Sequence, residues 1–125
     1  MTENEISKII VNACYKIHSQ LGAGLFESVY ERILLVELEK EGLFVERQKN
    51  IPVIWDGEQI EQGFKADLIV ENKVIIEIKS VENLAPVHHK QLLTYLKLTG
   101  LKLGLLVNFN ESLIKDGITR IVNNL

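Results

Sequence analysis

Between Val74 and Ser80 the chain reads Val-Ile-Ile-Glu-Ile-Lys-Ser, β-branched and apolar on both faces, as a strand from the centre of a covered sheet reads. Any fold that accepts this segment must cover both its faces, so the two charges inside it, Glu77 and Lys79, need a chemical reason. Side chains alternate along a strand, which puts Glu77 and Lys79 on one face and Val74, Ile76 and Ile78 on the other.

The preceding strand, from about Gly63 to Val70, alternates as well, with Lys65 and Asp67 on one face and Phe64, Ala66, Leu68 and Val70 on the other. If Glu71-Asn72-Lys73 forms a three-residue hairpin loop, Val70 faces Val74, and the same register sets Asp67 opposite Glu77 and Lys65 opposite Lys79. Like charges facing each other across a sheet destabilise it unless something compensates them. A hard divalent cation such as Mg²⁺ or Mn²⁺ would do so, binding carboxylate oxygens and keeping positions open for water and phosphate. The competing reading is a solvated face of an edge strand, which the surrounding apolar residues oppose.

Upstream, the period is helical. Thr2 with Glu5 forms a capping-box pattern, and Ile6, Ile9, Ile10, Ala13 and Ile17 follow at helical spacing to about Leu21. After Gly22-Ala23-Gly24 a second helix is expected from about Phe26 to Glu41, with Val29, Ile33, Val36 and Leu38 among its apolar positions and Gly42 as its stop. From Leu43 the period becomes two. Phe44–Gln48, Ile51–Trp55, Gln59–Val70 and Val74–Ser80 read as an antiparallel meander, with Asp56-Gly57 as a turn and Pro52 marking the first strand as an edge strand or as interrupted there. Pro86 opens a helix that Gly100 closes, and Leu101–Phe109 is a strand that returns parallel to the meander by a right-handed crossover. In the tail, a helical turn over Glu111–Ile114 and a strand over Ile118–Val122 are favoured over one broken helix. The fold class is α/β, an α+β arrangement around a mixed sheet, with residues 1–125 read as a single domain.

Composition sets limits on function. A net charge of −3 lacks the basic footprint of a dedicated nucleic-acid binder, although metal-binding carboxylates lower the formal charge and a bound ion restores part of it. Cys14, the single cysteine, permits no intrachain disulfide and reads as a small buried thiol. No apolar run spans a bilayer and the acidic start is unlike a signal peptide, so no membrane association is expected and the cytoplasm is the expected compartment. Trp55, Phe44, Phe64 and Phe109 sit in strand patterns and are expected in the core.

The order of an acid on a strand, then Glu77-Ile78-Lys79 on the next strand, resembles the signature of the PD-(D/E)xK nuclease-like superfamily, with Ala66 standing where a proline often precedes the first acid. Gly24-Leu25-Phe26-Glu27-Ser28-Val29-Tyr30 resembles the GxxExxY pattern of a small bacterial and archaeal family within it. Phe64-Lys65-Ala66-Asp67, Gln91-Leu92-Leu93-Thr94-Tyr95-Leu96 and Gly104–Phe109 extend the resemblance from about Glu5 to Val122. It implies a restriction-endonuclease-like core and a Mg²⁺- or Mn²⁺-dependent nuclease, acting on DNA ahead of RNA. In that reading Glu27 joins Asp67 and Glu77 as metal ligands, and Lys79 orients or deprotonates the attacking water or offsets transition-state charge. Gln91 and Tyr95, four apart on one helix face, would support the site or touch substrate backbone.

Without the resemblance, Glu27 reads as an exposed helix acid, Lys79 as a salt-bridge partner of Glu77 or Asp67, Tyr95 as a half-buried core residue, and Gln91 as surface. His88 and His89 open their helix as cap or solvated residues, and His18 reads as structural at a helix C-terminus. Two alternatives to a nuclease stay open: a catalytically silent nuclease-like module that binds nucleic acid or protein, and a purely structural acidic cluster. A homodimer or a protein partner would supply the substrate surface that a small acidic domain lacks.

Overall fold

The computed structural model describes residues 1–125, the side chains of Glu61 and Gln62 apart. The elements run α1 (Glu3–Leu21), α2 (Glu27–Lys40), β1 (Val45–Trp55), β2 (Glu58–Val70), β3 (Val74–Lys79), α3 (Pro86–Thr99), β4 (Leu103–Asn108), a 3₁₀ turn (Ile114–Gly117) and β5 (Ile118–Val122). Five strands form one sheet in chain order, antiparallel except for the β3–β4 pair that α3 connects. The meander, the crossover and the closing strand agree with the period switches in the sequence; the helical turn in the tail lies a few residues later than expected.

Local chemistry explains the helix ends. The Thr2 amide donates to Glu5 Oε1 at 2.9 Å and the Glu5 amide to Thr2 Oγ1 at 3.2 Å, completing the capping box. Gly100 ends α3 in the left-handed conformation at φ 74°. No described helix is long and apolar enough to cross a membrane.

Two apolar layers sandwich the sheet. Ile6, Ile10, Cys14 and Ile17 of α1 and Tyr30, Leu34 and Leu38 of α2 pack on Leu68, Val70, Val74, Ile76 and Ile78. On the other face Leu92 and Leu96 of α3 cover Ile69, Ile75 and Leu106. Desolvation in the first layer pushes the Cys14 thiol up to about 12, as suits a small hydrophobe rather than a nucleophile. Tyr30 stacks on Phe109 with ring centroids 4.3 Å apart, and its hydroxyl donates to the Gly22 carbonyl at 2.5 Å. That bond folds the α1–α2 connection back on the helix it precedes. Tyr30→Phe is expected to cost about 1–2 kcal/mol by leaving the Gly22 carbonyl unpaired, measured by urea unfolding; an unchanged midpoint would show that water replaces the hydroxyl.

Some sequence expectations fail for identifiable reasons. α2 turns Tyr30, Glu31, Leu34 and Leu38 inward, leaving Val29 and Val36 exposed, because α1 and one face of the sheet cover a narrower stripe of this helix than its apolar content suggests. Trp55 is 71% exposed, since β1 and β2 continue as a two-stranded ribbon past the last β2–β3 pair and nothing covers the tip; Phe44 is exposed at the opposite end, just before β1 and beside the β2–β3 loop. β1 is an edge strand, and its register shifts between Ile51 and Val53, around Pro52. Gly63 lies opposite that irregularity, where a Cβ would come within 2.1 Å of the Ile51 carbonyl oxygen.

Candidate metal and nuclease site

The ribbon leaves the sheet at Asp67. The β2–β3 ladder covers Val70↔Val74, Ile69↔Ile75 and Leu68↔Ile76 and goes no further, so Lys65 pairs with Asn50 of β1 rather than facing Lys79 as simple register predicts. The face alternation breaks at the same point. Leu68 and Val70 belong to the layer under α1 and α2, whereas Phe64 and Ala66 join the layer under α3, where Phe64 stacks on Tyr95 with centroids 3.4 Å apart. A period-two pattern assumes a continuous pleat, and here the pleat is interrupted.

Where the ladder ends, the Asp67 side chain takes over its hydrogen bonding. The Ile78 amide donates to Asp67 Oδ2 at 2.8 Å, which fixes this carboxylate beside Glu77 although the two strands have parted. Glu77 is 7% exposed, and its Oε1 is buried without a hydrogen-bond partner. Desolvation first, then the charge of Asp67, push the Glu77 carboxyl up to about 9, with Lys79 opposing. Without a cation, Glu77 therefore holds a proton at neutral pH.

Lys79 is half-buried on the Glu77 side of β3 and forms no ion pair with a described residue, so the expected salt bridge to Glu77 or Asp67 is not made. The strand exit that carries it is pinned. The Phe109 amide donates to the Lys79 carbonyl at 2.9 Å, and buried Asn108 brackets Val81, accepting from its amide at 3.1 Å and donating to its carbonyl at 2.9 Å.

Glu27, in the first turn of α2, accepts from the Ser80 amide at 3.1 Å, while the Ser80 hydroxyl donates to the Leu25 carbonyl at 2.8 Å. These contacts bring Glu27 to the rim beyond Lys79, where Leu25, Phe26, Glu27, Ser28 and Ser80 line a cavity of about 390 Å³. Tyr95 lies close enough to Glu77 and Asp67 that desolvation first, and then their charges, raise its hydroxyl pKa, with the nearby amide of exposed Gln91 opposing the shift. His88 caps α3, its Nδ1 accepting from the Ala85 amide at 3.1 Å, and His18 Nε2 bonds the Glu111 carbonyl at 2.8 Å; both follow the structural reading.

Two participants carry no signal in the sequence. Glu31, one turn after Glu27, is 5% exposed. Its carboxyl pKa is raised, by desolvation first and then by Asp67, against a hydrogen bond from Gln48. Gln48 Nε2 lies 2.9 Å from Glu31 Oε1 and 3.2 Å from Asp67 Oδ1. Arg47 Nε lies 3.4 Å from the same Glu31 oxygen. Spacing within α2 distinguishes Glu31 from a surface acid only when the inward stripe is known, and a glutamine in an edge strand has no distinctive pattern.

Among the described residues no group of three His, Cys, Asp or Glu side chains is arranged to hold a metal ion. The adjacent carboxylates of Asp67 and Glu77, one oxygen of which is orphaned, nevertheless fit an ion such as Mg²⁺, which binds through one or two carboxylates and completes its shell with water and phosphate.

A mixed sheet between helical layers thus carries an acid within β2, where the ribbon leaves the sheet, and acid-x-lysine on β3. A family model of the PD-(D/E)XK nuclease superfamily matches residues 4–121, and the chain belongs to that superfamily. Comparison with curated proteins and with solved structures gives no match.

Proposed function

We propose that this chain is a metal-dependent nuclease of the GxxExxY type that hydrolyses phosphodiester bonds of nucleic acid, DNA ahead of RNA, in the cytoplasm. Asp67 and Glu77 hold Mg²⁺ or Mn²⁺, with Glu27 joining the set from the rim. The observation that carries this reading is the buried Glu77 carboxylate, with an orphaned oxygen beside Asp67. A fold that buries Glu77 against half-buried Asp67 loses stability when Glu77 ionises, whereas a bound cation offsets the negative charge of both carboxylates.

When bound, the ion supplies positive charge to the phosphate and the leaving oxygen. Asp67 is held in one orientation by the Ile78 amide, and Lys79, whose ammonium pairs with no described residue, offers it to the attacking water or to charge accumulating on phosphate oxygens. Tyr95 and Gln91 border the acids from α3 and contribute contacts to the substrate backbone.

Purified protein is expected to cleave DNA in Mg²⁺ or Mn²⁺, to stop when EDTA is added, and to lose about 10²-fold or more of its rate with Asp67→Asn. Cleavage that survives both Asp67→Asn and Lys79→Ala would belong to a contaminant or to another mechanism. The net charge of −3 favours a second reading, a silent module that binds nucleic acid or protein without turnover. Nucleic acid that stays intact in every metal, together with a partner retained in a pull-down, would select it.

A further inference from the structure

Gln48 sits inside β1 with φ 51°, a left-handed backbone that a non-glycine residue adopts at a cost. The other described non-glycine residues with positive φ, Asp56, Glu71, Asn72 and Asn124, lie in turns or beside the C-terminus, where no ladder constrains them. In the β1–β2 register Gln48 falls between Arg47↔Leu68 and Lys49↔Ala66, and so stands across from Asp67. The break in the ribbon's face alternation thus has a strained residue on one strand and the candidate metal ligand on the other.

One amide group meets two acids there. The Nε2 of Gln48 carries two hydrogens, and the two acceptors within reach are Glu31 Oε1 at 2.9 Å and Asp67 Oδ1 at 3.2 Å. The amide oxygen in that place would face two carboxylates with no proton between them, so the chemistry fixes the orientation. With Asp67 Oδ2 taken by the Ile78 amide, both oxygens of Asp67 are tethered, one from each neighbouring strand.

We propose that Gln48 is a positioning residue. Its left-handed backbone aims one NH₂ group between Glu31 and Asp67, clamping both carboxylates and setting the orientation in which Asp67 meets Glu77. The clamp also joins α2 to the end of β2, so the metal-facing acid is referenced to the helical layer and not only to its own strand. The consequence for metal binding and cleavage rests on the nuclease reading; the clamp itself does not.

Gln48→Gly and Gln48→Asn test this, because both residue types accept the left-handed backbone while glycine lacks the amide and asparagine is one methylene too short to span both acids. Both variants are expected to unfold cooperatively, yet to bind Mn²⁺ about 10-fold more weakly or worse by calorimetry and to lose cleavage mainly in kcat. Mn²⁺ affinity and cleavage within about twofold of wild type in either variant would overturn the proposal.

A second measurement needs no metal. In EDTA, the Tm changes of Gln48→Gly and Asp67→Ala are expected to be non-additive in the double variant, since either change alone removes the Gln48–Asp67 hydrogen bond; additive changes would overturn it. A wild-type protein that neither binds Mn²⁺ nor cleaves would sink the nuclease reading, and the Tm cycle would then decide on the clamp alone.

Discussion

Glu77→Gln is expected to stabilise the metal-free protein, by about 3 kcal/mol at pH 7, and to raise its Tm by about 10 °C. The Glu77 carboxyl, ordinarily at 4.5, is pushed up to about 9 by desolvation first and by Asp67 second. A group whose pKa rises on folding binds its proton more tightly in the native state, so native stability is fully present below about pH 4.5 and falls as pH climbs toward about 9. Glutamine cannot ionise. Its NH₂ can donate to Asp67 in place of the carboxyl proton, while the linked loss of stability disappears. The Tm difference between variant and wild type, measured in EDTA, should therefore be near zero at about pH 4.5, grow through neutral pH and level off above about pH 9. Added Mg²⁺ should narrow the gap by stabilising only the wild type, because a ligand that binds the native state raises its stability by mass action. A variant that melts below wild type at pH 8 in EDTA would show that Glu77 is already compensated by groups within the fold.

The same residues separate what the sequence discloses from what it conceals. Period and punctuation located the helices and strands because each depends on local rules: Thr2 with Glu5 capped α1, Gly100 closed α3, and the β-branched run around Glu77 became the buried strand β3. The Glu71–Lys73 loop and its Val70↔Val74 pairing also followed from spacing. Register failed one step past Leu68, since nothing local in Gly63–Val70 reports that a residue on another strand, Gln48, takes a left-handed backbone and that the pleat is interrupted. Burial failed at Trp55 and Phe44 for a related reason: a strand pattern shows which residues share a face and not whether a partner layer extends that far. In the site, Asp67, Glu77 and Lys79 were legible as charges out of place among apolar residues. Glu31 and Gln48 were not, because their involvement comes from tertiary proximity alone.

Lys79→Ala is expected to reduce kcat by about 10²–10³-fold, of the order seen when a preorganised charge-stabilising group is removed, with a smaller change in KM. The argument rests on a conflict that Lys79 leaves unresolved. Two acids lie beside it, yet it pairs with no described residue, and the strand end that carries it is fixed by the Phe109 amide and by Asn108. An ammonium carried on a fixed strand exit, with no ion-pair partner among the described residues, is available to a third party, which in this site is a water or a phosphate oxygen. Lys79→Arg separates the two roles. Arginine keeps the positive charge but does not give up a proton in this pH range, so substantial recovery over the alanine variant assigns Lys79 to charge stabilisation, and none assigns it to proton transfer. Because Lys79 is half-buried and bonds its neighbours through its backbone carbonyl, neither substitution should disturb the fold, and a Tm close to wild type in EDTA makes a loss of rate interpretable. Cleavage within about twofold of wild type in Lys79→Ala would remove the lysine from the mechanism; Asp67 and Glu77 would then hold the ion without its help.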